Sequence, residues 1–397
     1  MSVRSKGKER IAFLLLGVTS KHCGGAERFF SSFFSMYSEY GPARFRSFFI
    51  CDRNTKETLI GIGRFKPGQE DVLLLKSYSN RLKHLLENLH LLFLILYKRI
   101  KAVHVCSYTP YYFEKLRFLG NLPAFLRPRI IVTIVSARPA YSLVDESDPH
   151  HHKDKETYGR LLEKVRVNAF LCWNKRFSEI ANHLTFLHPD PLIYYIRSRY
   201  IESGAFVPAE KKQNLVVYSG RLVEPKRPLF FLEGVRILAQ ELNVPLGNWK
   251  FAIYGHGVLL PELQRRIKEG KLEQVVELKE ETRMEKVLSV SRCYVSTQDY
   301  DNFPSLAINE AMACGNAVIA RNLGQTSWFV KNGVNGLLLD EDSPHGLAQA
   351  LKNYILHPEW HGAMSNASRN LVLQEHTRES FIQQVEEFWT KLFDRPA

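Results

Sequence analysis

Short apolar runs alternate with helical periodicity along this chain, and the alternation breaks once and then starts again. IAFLLLG (11–17), FRSFFIC (45–51), AVHVCS (102–107), RIIVTIVS (129–136) and AFLCW (169–173) read as strands. Helical spacing fills 26–40, 81–99 and 155–166 between them. Strands spaced by helices favour right-handed βαβ units and a mostly parallel sheet. A stretch rich in Pro and charge (187–213) then interrupts the pattern, which resumes with NLVVYSG (214–220), RPLFFLEGVRILAQEL (227–242) and WKFAIYG (249–255). The expected fold class is α/β, with two doubly wound Rossmann-like domains facing a cleft. Their expected limits are 1–205 and 206–378, and the last helix, 379–393, follows a loose segment and packs back on the first domain. A length of 397 residues suits two cores better than one.

Composition narrows the class. With 45% hydrophobic and 24% charged residues the chain reads as a folded soluble protein. Its six cysteines are scattered without CxxC or metal-like spacing, which suits reduced thiols in the cytoplasm rather than a disulfide framework. MSVRSKGKERIAFLLLGV imitates a signal peptide, but no small-residue cleavage site follows, so 11–17 is read as a buried strand. No run approaches the ~20 apolar residues that span a bilayer. Residues 1–200 hold 32 Lys and Arg against 17 Asp and Glu, a net of +15, whereas residues 201–397 hold 22 against 24, a net of −2. The basic half points to an anionic partner. No recognisable nucleic-acid module accompanies it, so nucleic acid is not expected.

Three stretches could carry chemistry. SGRLVEPKRP (219–228) puts Arg221 and Lys226 where a strand turns into a helix, at the sheet edge that binds ligands in such folds. Two converging cations suit a diphosphate, although a solvated turn would look the same. GVTSKHCGGAERFF (17–30) sets Gly24 and Gly25 between strand and helix, which is either an anion-binding helix start or only a tight turn. DYDNFPSLAINEAMACGNAVIA (299–320) surrounds an apolar helix with two acids, Asp301 and Glu310. With Pro304 as first helical residue and Gly315 as C-terminal cap, the helix start would offer free N–H groups to a phosphate. Glu310 would then lie roughly 9 Å along the axis, a distance that suits a nucleotide's ribose hydroxyls. A carboxylate there can grip a vicinal diol. The alternative is that Asp301 caps a turn and Glu310 is paired inside the fold.

In this order SGRLVEPKRP, IYGHGVLLPEL and DNFPSLAINEAMACGNAVIA resemble the donor-binding half of retaining GT-B glycosyltransferases, specifically glycosyltransferase family 4, and GGAERFF resembles that family's N-terminal glycine loop. The resemblance implies that Arg221 and Lys226 bind the donor diphosphate, Glu310 the ribose and Asp301 the transferred sugar, with these charged groups acting in catalysis. The donor-binding set it implies is Gly24, Gly25, Arg221, Lys226, Asp301, Phe303, Pro304, Ser305, Leu306 and Glu310. The pattern departs from the family's commonest form: the first acid is Asp301, Asn302 stands in place of Gly, and eight residues separate the acids instead of seven. Many members also place a histidine after a central strand of the first domain. Here Arg138 occupies roughly that region, and His104 is the other acceptor-side candidate, unless it is a core histidine.

The function implied is transfer of a hexose from a nucleotide-diphosphate sugar to a glycan or lipid-linked acceptor with retention, in surface polysaccharide or glycoconjugate synthesis. No metal and no cofactor are expected. The expected partners are the nucleotide-sugar, the acceptor and an anionic membrane surface, with the protein peripheral on the cytoplasmic face. The rival reading is a non-catalytic nucleotide-sugar-binding subunit that supports a partner enzyme. An epimerase on a related scaffold and a nucleic-acid binder are further alternatives.

Overall fold

The computed structural model describes residues 9–396 except 19–24, 42–43, 79–81, 107–109, 135–141, 144–145, 148–150, 174, 181–183, 185, 187, 189, 198–200, 202–203, 243, 282, 302–304 and 340. Two compact units divide the chain: residues 1–196 with 382–397, and residues 197–381.

In the first unit the strands are β1 (Glu9–Leu14), β2 (Phe45–Cys51), β3 (Val72–Leu74), β4 (Ala102–Cys106), β5 (Arg129–Ile134), β6 (Ala169–Cys172) and β7 (Leu192–Tyr195). They form one sheet in the order β3-β2-β1-β4-β5-β6-β7, parallel throughout. The helices between them are α1 (Gly25–Tyr40), α2 (Arg53–Gly61), α3 (Lys83–Tyr97), α4 (Pro110–Gly120), α5 (His151–Lys164) and α6 (Lys175–Ile180). The central strands are buried on both faces, which is why they read as unbroken apolar runs rather than alternating ones. Ala12 and Leu14 of β1 join one core with Leu91, Val103 and Ile130. Phe13 points the other way, its ring 4.9 Å from that of Phe33 and 5.0 Å from that of Phe30.

The second unit repeats the plan. Its strands β8 (Leu215–Ser219), β9 (Lys250–Tyr254), β10 (Val276–Lys279), β11 (Cys293–Ser296), β12 (Ala317–Arg321) and β13 (Gly336–Leu339) make a parallel sheet ordered β10-β9-β8-β11-β12-β13. Helices α7 (Pro228–Gln240), α8 (Leu260–Glu269), α9 (Met284–Val290), α10 (Leu306–Ala313), α11 (Pro344–Leu356) and α12 (Glu359–Glu375) accompany it. The segment before the last helix, expected to be loose, is thus two helices. Finally, α13 (Arg378–Asp394) begins in the second unit and ends in the first. Its Trp389 is fully buried, stacked on Phe33 with ring centroids 6.1 Å apart and edge-on to Tyr37 at 4.6 Å. The Tyr37 hydroxyl donates to Glu386 at 2.7 Å, and the Arg129 guanidinium donates to the Leu392 and Arg395 carbonyls.

Cys51, Cys172, Cys293 and Cys314 are buried free thiols. No helix among the described residues is long and apolar enough to cross a membrane.

His104 is a core residue. It is fully buried, one ring nitrogen lies 2.5 Å from the Thr133 hydroxyl, and Phe13, Phe30, Phe33 and Trp389 surround it. Burial pushes its imidazole from the ordinary 6.5 down to about 3. The folded protein therefore keeps it neutral while the unfolded chain protonates it below about 6.5. Its contribution to stability is complete above that pH and declines as the pH falls toward 3. His376, buried in the second unit and pushed down to about 4, acts with the same sign. The melting temperature should fall between pH 7 and pH 4.5, and His104→Gln, which keeps a polar group toward Thr133 but does not titrate, should flatten that fall. An unchanged slope in the variant would assign the acid sensitivity elsewhere.

Candidate functional site

The C-terminal edge of the second sheet gathers the charged residues of two loops. After β8 the chain passes Gly220 and Arg221, makes a 3₁₀ turn at Glu224–Lys226, and enters α7 through Arg227, which is left-handed at φ 50°. That conformation costs a non-glycine residue roughly 1–2 kcal/mol. The turn is held by its carbonyls: that of Lys226 accepts from the Tyr218 hydroxyl at 3.0 Å and from Thr297 at 3.0 Å, and that of Arg227 accepts from Thr297 at 2.9 Å. Backbone contact with the β9 loop fixes the other side. Leu222 N–H donates to the His256 carbonyl at 2.8 Å, and Gly220 N–H to that of Tyr254 at 3.0 Å. A Cβ on Gly255 would lie 1.9 Å from the Gly220 oxygen, and one on Gly257 would lie 2.4 Å from the Leu222 oxygen. Only glycine permits that approach.

Gln298 joins this loop to the one after β11. Its side-chain oxygen accepts from Lys226 Nζ at 2.5 Å, and its amide nitrogen donates to the Asp301 carbonyl at 3.1 Å and that of Tyr300 at 3.3 Å. Asp299 N–H donates to the Pro225 carbonyl at 3.1 Å, and the Lys226 ammonium sits 4.9 Å over the Tyr300 ring. Arg321, buried at the end of β12, donates to the Gln298 carbonyl at 2.9 Å and pairs with Asp342. Lys226 is thereby tied to the loop that carries Asp301, whose side chain is buried. Arg221 is exposed, and its side chain makes no hydrogen bond or ion pair among the described residues.

Helix α10 starts at Leu306, not at Pro304, which lies outside the described residues together with Phe303. Ser305 is the N-cap because its extended backbone lets the side-chain oxygen face the first turn, accepting from Ile308 N–H at 3.4 Å. The helix ends at Ala313 with Cys314 as its C-cap, and the expected Gly315 follows one residue later, left-handed at φ 67°, with Asn316 N–H donating to the Ala311 carbonyl and Gly315 N–H to that of Met312. With the start two residues later, Glu310 is roughly 6 Å along the axis from the first helical residue rather than 9 Å. Glu310 is half-buried and close enough to Tyr294 to reinforce the upward push that burial exerts on that phenol, which reaches about 12. The Tyr294 hydroxyl donates to the Ser219 carbonyl at 3.0 Å, so Glu310 belongs to the same edge as the end of β8. Asn309 beside it is fully buried.

Of the first-unit candidates, only Gly25 and His104 are among the described residues. Gly24 and Arg138 lie outside the described residues, and Gly25 opens α1. His104, enclosed by aromatic rings, offers no face to an acceptor. Reading the sequence alone missed Gln298, Arg321 and the glycine pair at 255 and 257. The glycines stood inside IYGHG, and only their close backbone approach reveals their part. Among the described residues no three His, Cys, Asp or Glu side chains come together as a metal set.

An edge of this kind, on two Rossmann-like units, is the architecture of GT-B glycosyltransferases. Residues 213–357 match the model of the family described as Glycosyl transferases group 1, a stretch that contains Arg221, Lys226, Asp301 and Glu310. A curated relative from Campylobacter jejuni subsp. jejuni, GalNAc-alpha-(1->4)-GalNAc-alpha-(1->3)-diNAcBac-PP-undecaprenol alpha-1,4-N-acetyl-D-galactosaminyltransferase, is 26% identical over 279 residues, 68% of this chain. That alignment spans 65% of the relative. Anabaena Alr3699/HepE in complex with UDP superposes with a TM-score of 0.71 at 14% identity, covering 96% of this chain and 100% of that one. S. aureus TarM, as a variant in complex with fondaparinux, alpha-GlcNAc-glycerol and UDP, superposes with a TM-score of 0.70 at 14% identity, covering 98% and 100%. At such identities the structures show the fold, and it is shared along nearly the whole chain.

Proposed function

We propose that the protein is a retaining glycosyltransferase that moves a hexose from a nucleotide-diphosphate sugar to a glycan or lipid-linked acceptor. The observation that carries this reading is the Gln298 bridge, which ties a loop bearing two cations to the loop bearing Asp301 on a sheet edge that also holds Glu310. The second unit is then the donor domain and the first the acceptor domain. Arg221, Lys226 and the start of α10 take the diphosphate and stabilise its charge as the sugar departs, which is electrostatic catalysis that needs no metal. Glu310 holds the ribose and Asp301 the transferred sugar. The departing phosphate oxygen takes the acceptor's proton, so no protein base is required. Asp301 and Glu310 lie at opposite ends of the nucleotide in this reading and do not act as the pair of a retaining glycosidase, which needs carboxyls about 5 Å apart. The Campylobacter relative has a PP-undecaprenol acceptor by name, which supports a lipid-linked diphosphate sugar here, reached from the cytoplasmic face in polysaccharide or glycoconjugate synthesis.

The test begins with UDP, GDP and ADP in a thermal-shift screen, where the nucleotide bound by the folded state raises the melting temperature. With that nucleotide, Glu310→Gln should weaken the free diphosphate about tenfold, the effect of losing a charge-assisted hydrogen bond. Asp301→Asn should leave it unchanged and weaken the sugar nucleotide. Equal effects of both substitutions on free nucleotide, read by calorimetry, would refute the division of roles. Transfer by the parent protein distinguishes an enzyme from a binding subunit.

A further inference from the structure

Helix α3 carries an apolar face that no described residue of the first unit covers. Leu82, at its N-cap, with Leu85, Leu89, Phe93, Leu96 and Tyr97, recurs every three or four residues, and each is between 46% and 66% exposed. Such spacing sets them along one side of the helix. The opposite side is the packed one: Leu91, Leu94 and Ile95 are buried, and Glu87 makes a buried ion pair with Lys115 of α4 at 2.9 Å. Phe93 and Tyr97 stack with ring centroids 5.7 Å apart, so the outer face presents an ordered aromatic pair.

Charge decides the partner. The one acid of α3, Glu87, is on the inner side. Bases flank this face: Lys83 stands in the first turn, the Lys98 ammonium sits 5.1 Å over the Tyr97 ring, Arg99 follows it exposed, and the bond from the Lys76 backbone N–H to His90 Nδ1 at 3.0 Å places Lys76 beside the helix. Self-association about a two-fold axis would set this basic rim against its own copy, and like charges across an interface repel. At 15 residues the helix is also too short to span a bilayer. An apolar stripe edged by Lys and Arg instead suits the boundary between acyl chains and anionic headgroups, with the basic stems lying along the apolar surface.

We propose that α3 docks the first unit onto an anionic lipid surface, with Leu85, Leu89, Phe93 and Leu96 entering the acyl boundary and the basic rim meeting the headgroups. This deepens the peripheral-membrane part of the function proposed above and rests on that part only, not on the transfer chemistry.

Flotation of the full chain with vesicles of phosphatidylcholine, alone or with 30% phosphatidylglycerol, tests it at low and high salt. Binding is expected to the anionic vesicles only and to weaken with salt. The double variant Leu89→Glu with Phe93→Glu should lose at least about tenfold in partition, and Lys83→Glu with Lys98→Glu should lose as much, since each base near such a surface is worth about fivefold. Unchanged melting temperatures would show both variants folded, as exposed positions lead one to expect. Binding that ignores lipid charge, a double variant that floats like its parent, or a parental dimer that Leu89→Glu with Phe93→Glu dissolves would each overturn the proposal. Loss of nucleotide-induced stabilisation with flotation intact would refute the donor reading and leave this one standing.

Discussion

Lys226→Ala and Arg221→Ala are each expected to lower turnover about 100-fold, the usual effect of removing one group that stabilises transition-state charge. In the proposed reaction negative charge grows on the diphosphate as the sugar leaves, so a cation there would count for more in the transition state than in the bound donor. The two variants should differ in stability. The Arg221 side chain is exposed with no partner among the described residues, and its loss should leave the melting temperature unchanged. Lys226 holds the Gln298 side-chain oxygen, so its removal also loosens the join between the two loops, and a small drop in melting temperature should accompany the loss of rate. Initial rates and thermal unfolding of the same samples check both statements. Full activity in both variants would mean that the diphosphate binds elsewhere.

Trp389→Ala should be the most destabilising single change in α13, about 3–5 kcal/mol by the usual cost of truncating a buried tryptophan. The side chain has no exposed surface and packs against Phe13, Phe33, Tyr37 and Phe45. Its indole N–H has no hydrogen-bond partner among the described residues, so Trp389→Phe loses packing without orphaning a polar group and should cost distinctly less. Urea unfolding followed by tryptophan-independent circular dichroism measures both. If Trp389→Ala unfolds at the parental midpoint, α13 is not part of the first unit's core.

What could be read in the sequence follows from how much apolar surface each element buries. The strands buried on both faces announced themselves, and so did helices with a broad apolar stripe such as α7. β3 has only three residues, and β7 lies inside the Pro-rich stretch read as a crossover, with three of its four residues only half-buried. Neither carries enough pattern to be seen alone. In α12 only Met364, Ser368 and Val372 are buried, so a 17-residue helix looked like a loose segment. At the site, the charged residues were legible as residues, but the Ser305 cap and the Gln298 bridge were not. The cap is local, but Pro304 drew the expected helix start forward, and the bridge needs the Lys226 side chain, 72 residues away, which a linear pattern does not bring beside Gln298.

The passage of α13 from one unit to the other has a consequence on the ribosome. The first unit takes its final strip of core from residues 382–394, which are translated only after the whole second unit, residues 197–381. At roughly 5–20 residues per second that interval lasts about 10–40 s. During it the aromatic face formed by Phe13, Phe33, Tyr37 and Phe45 lacks the tryptophan that covers it. The unit synthesised first is therefore the one whose core closes last. Its nascent form displays apolar rings of the kind that chaperones hold, while the second unit, drawn from one continuous stretch, can close as soon as that stretch has emerged.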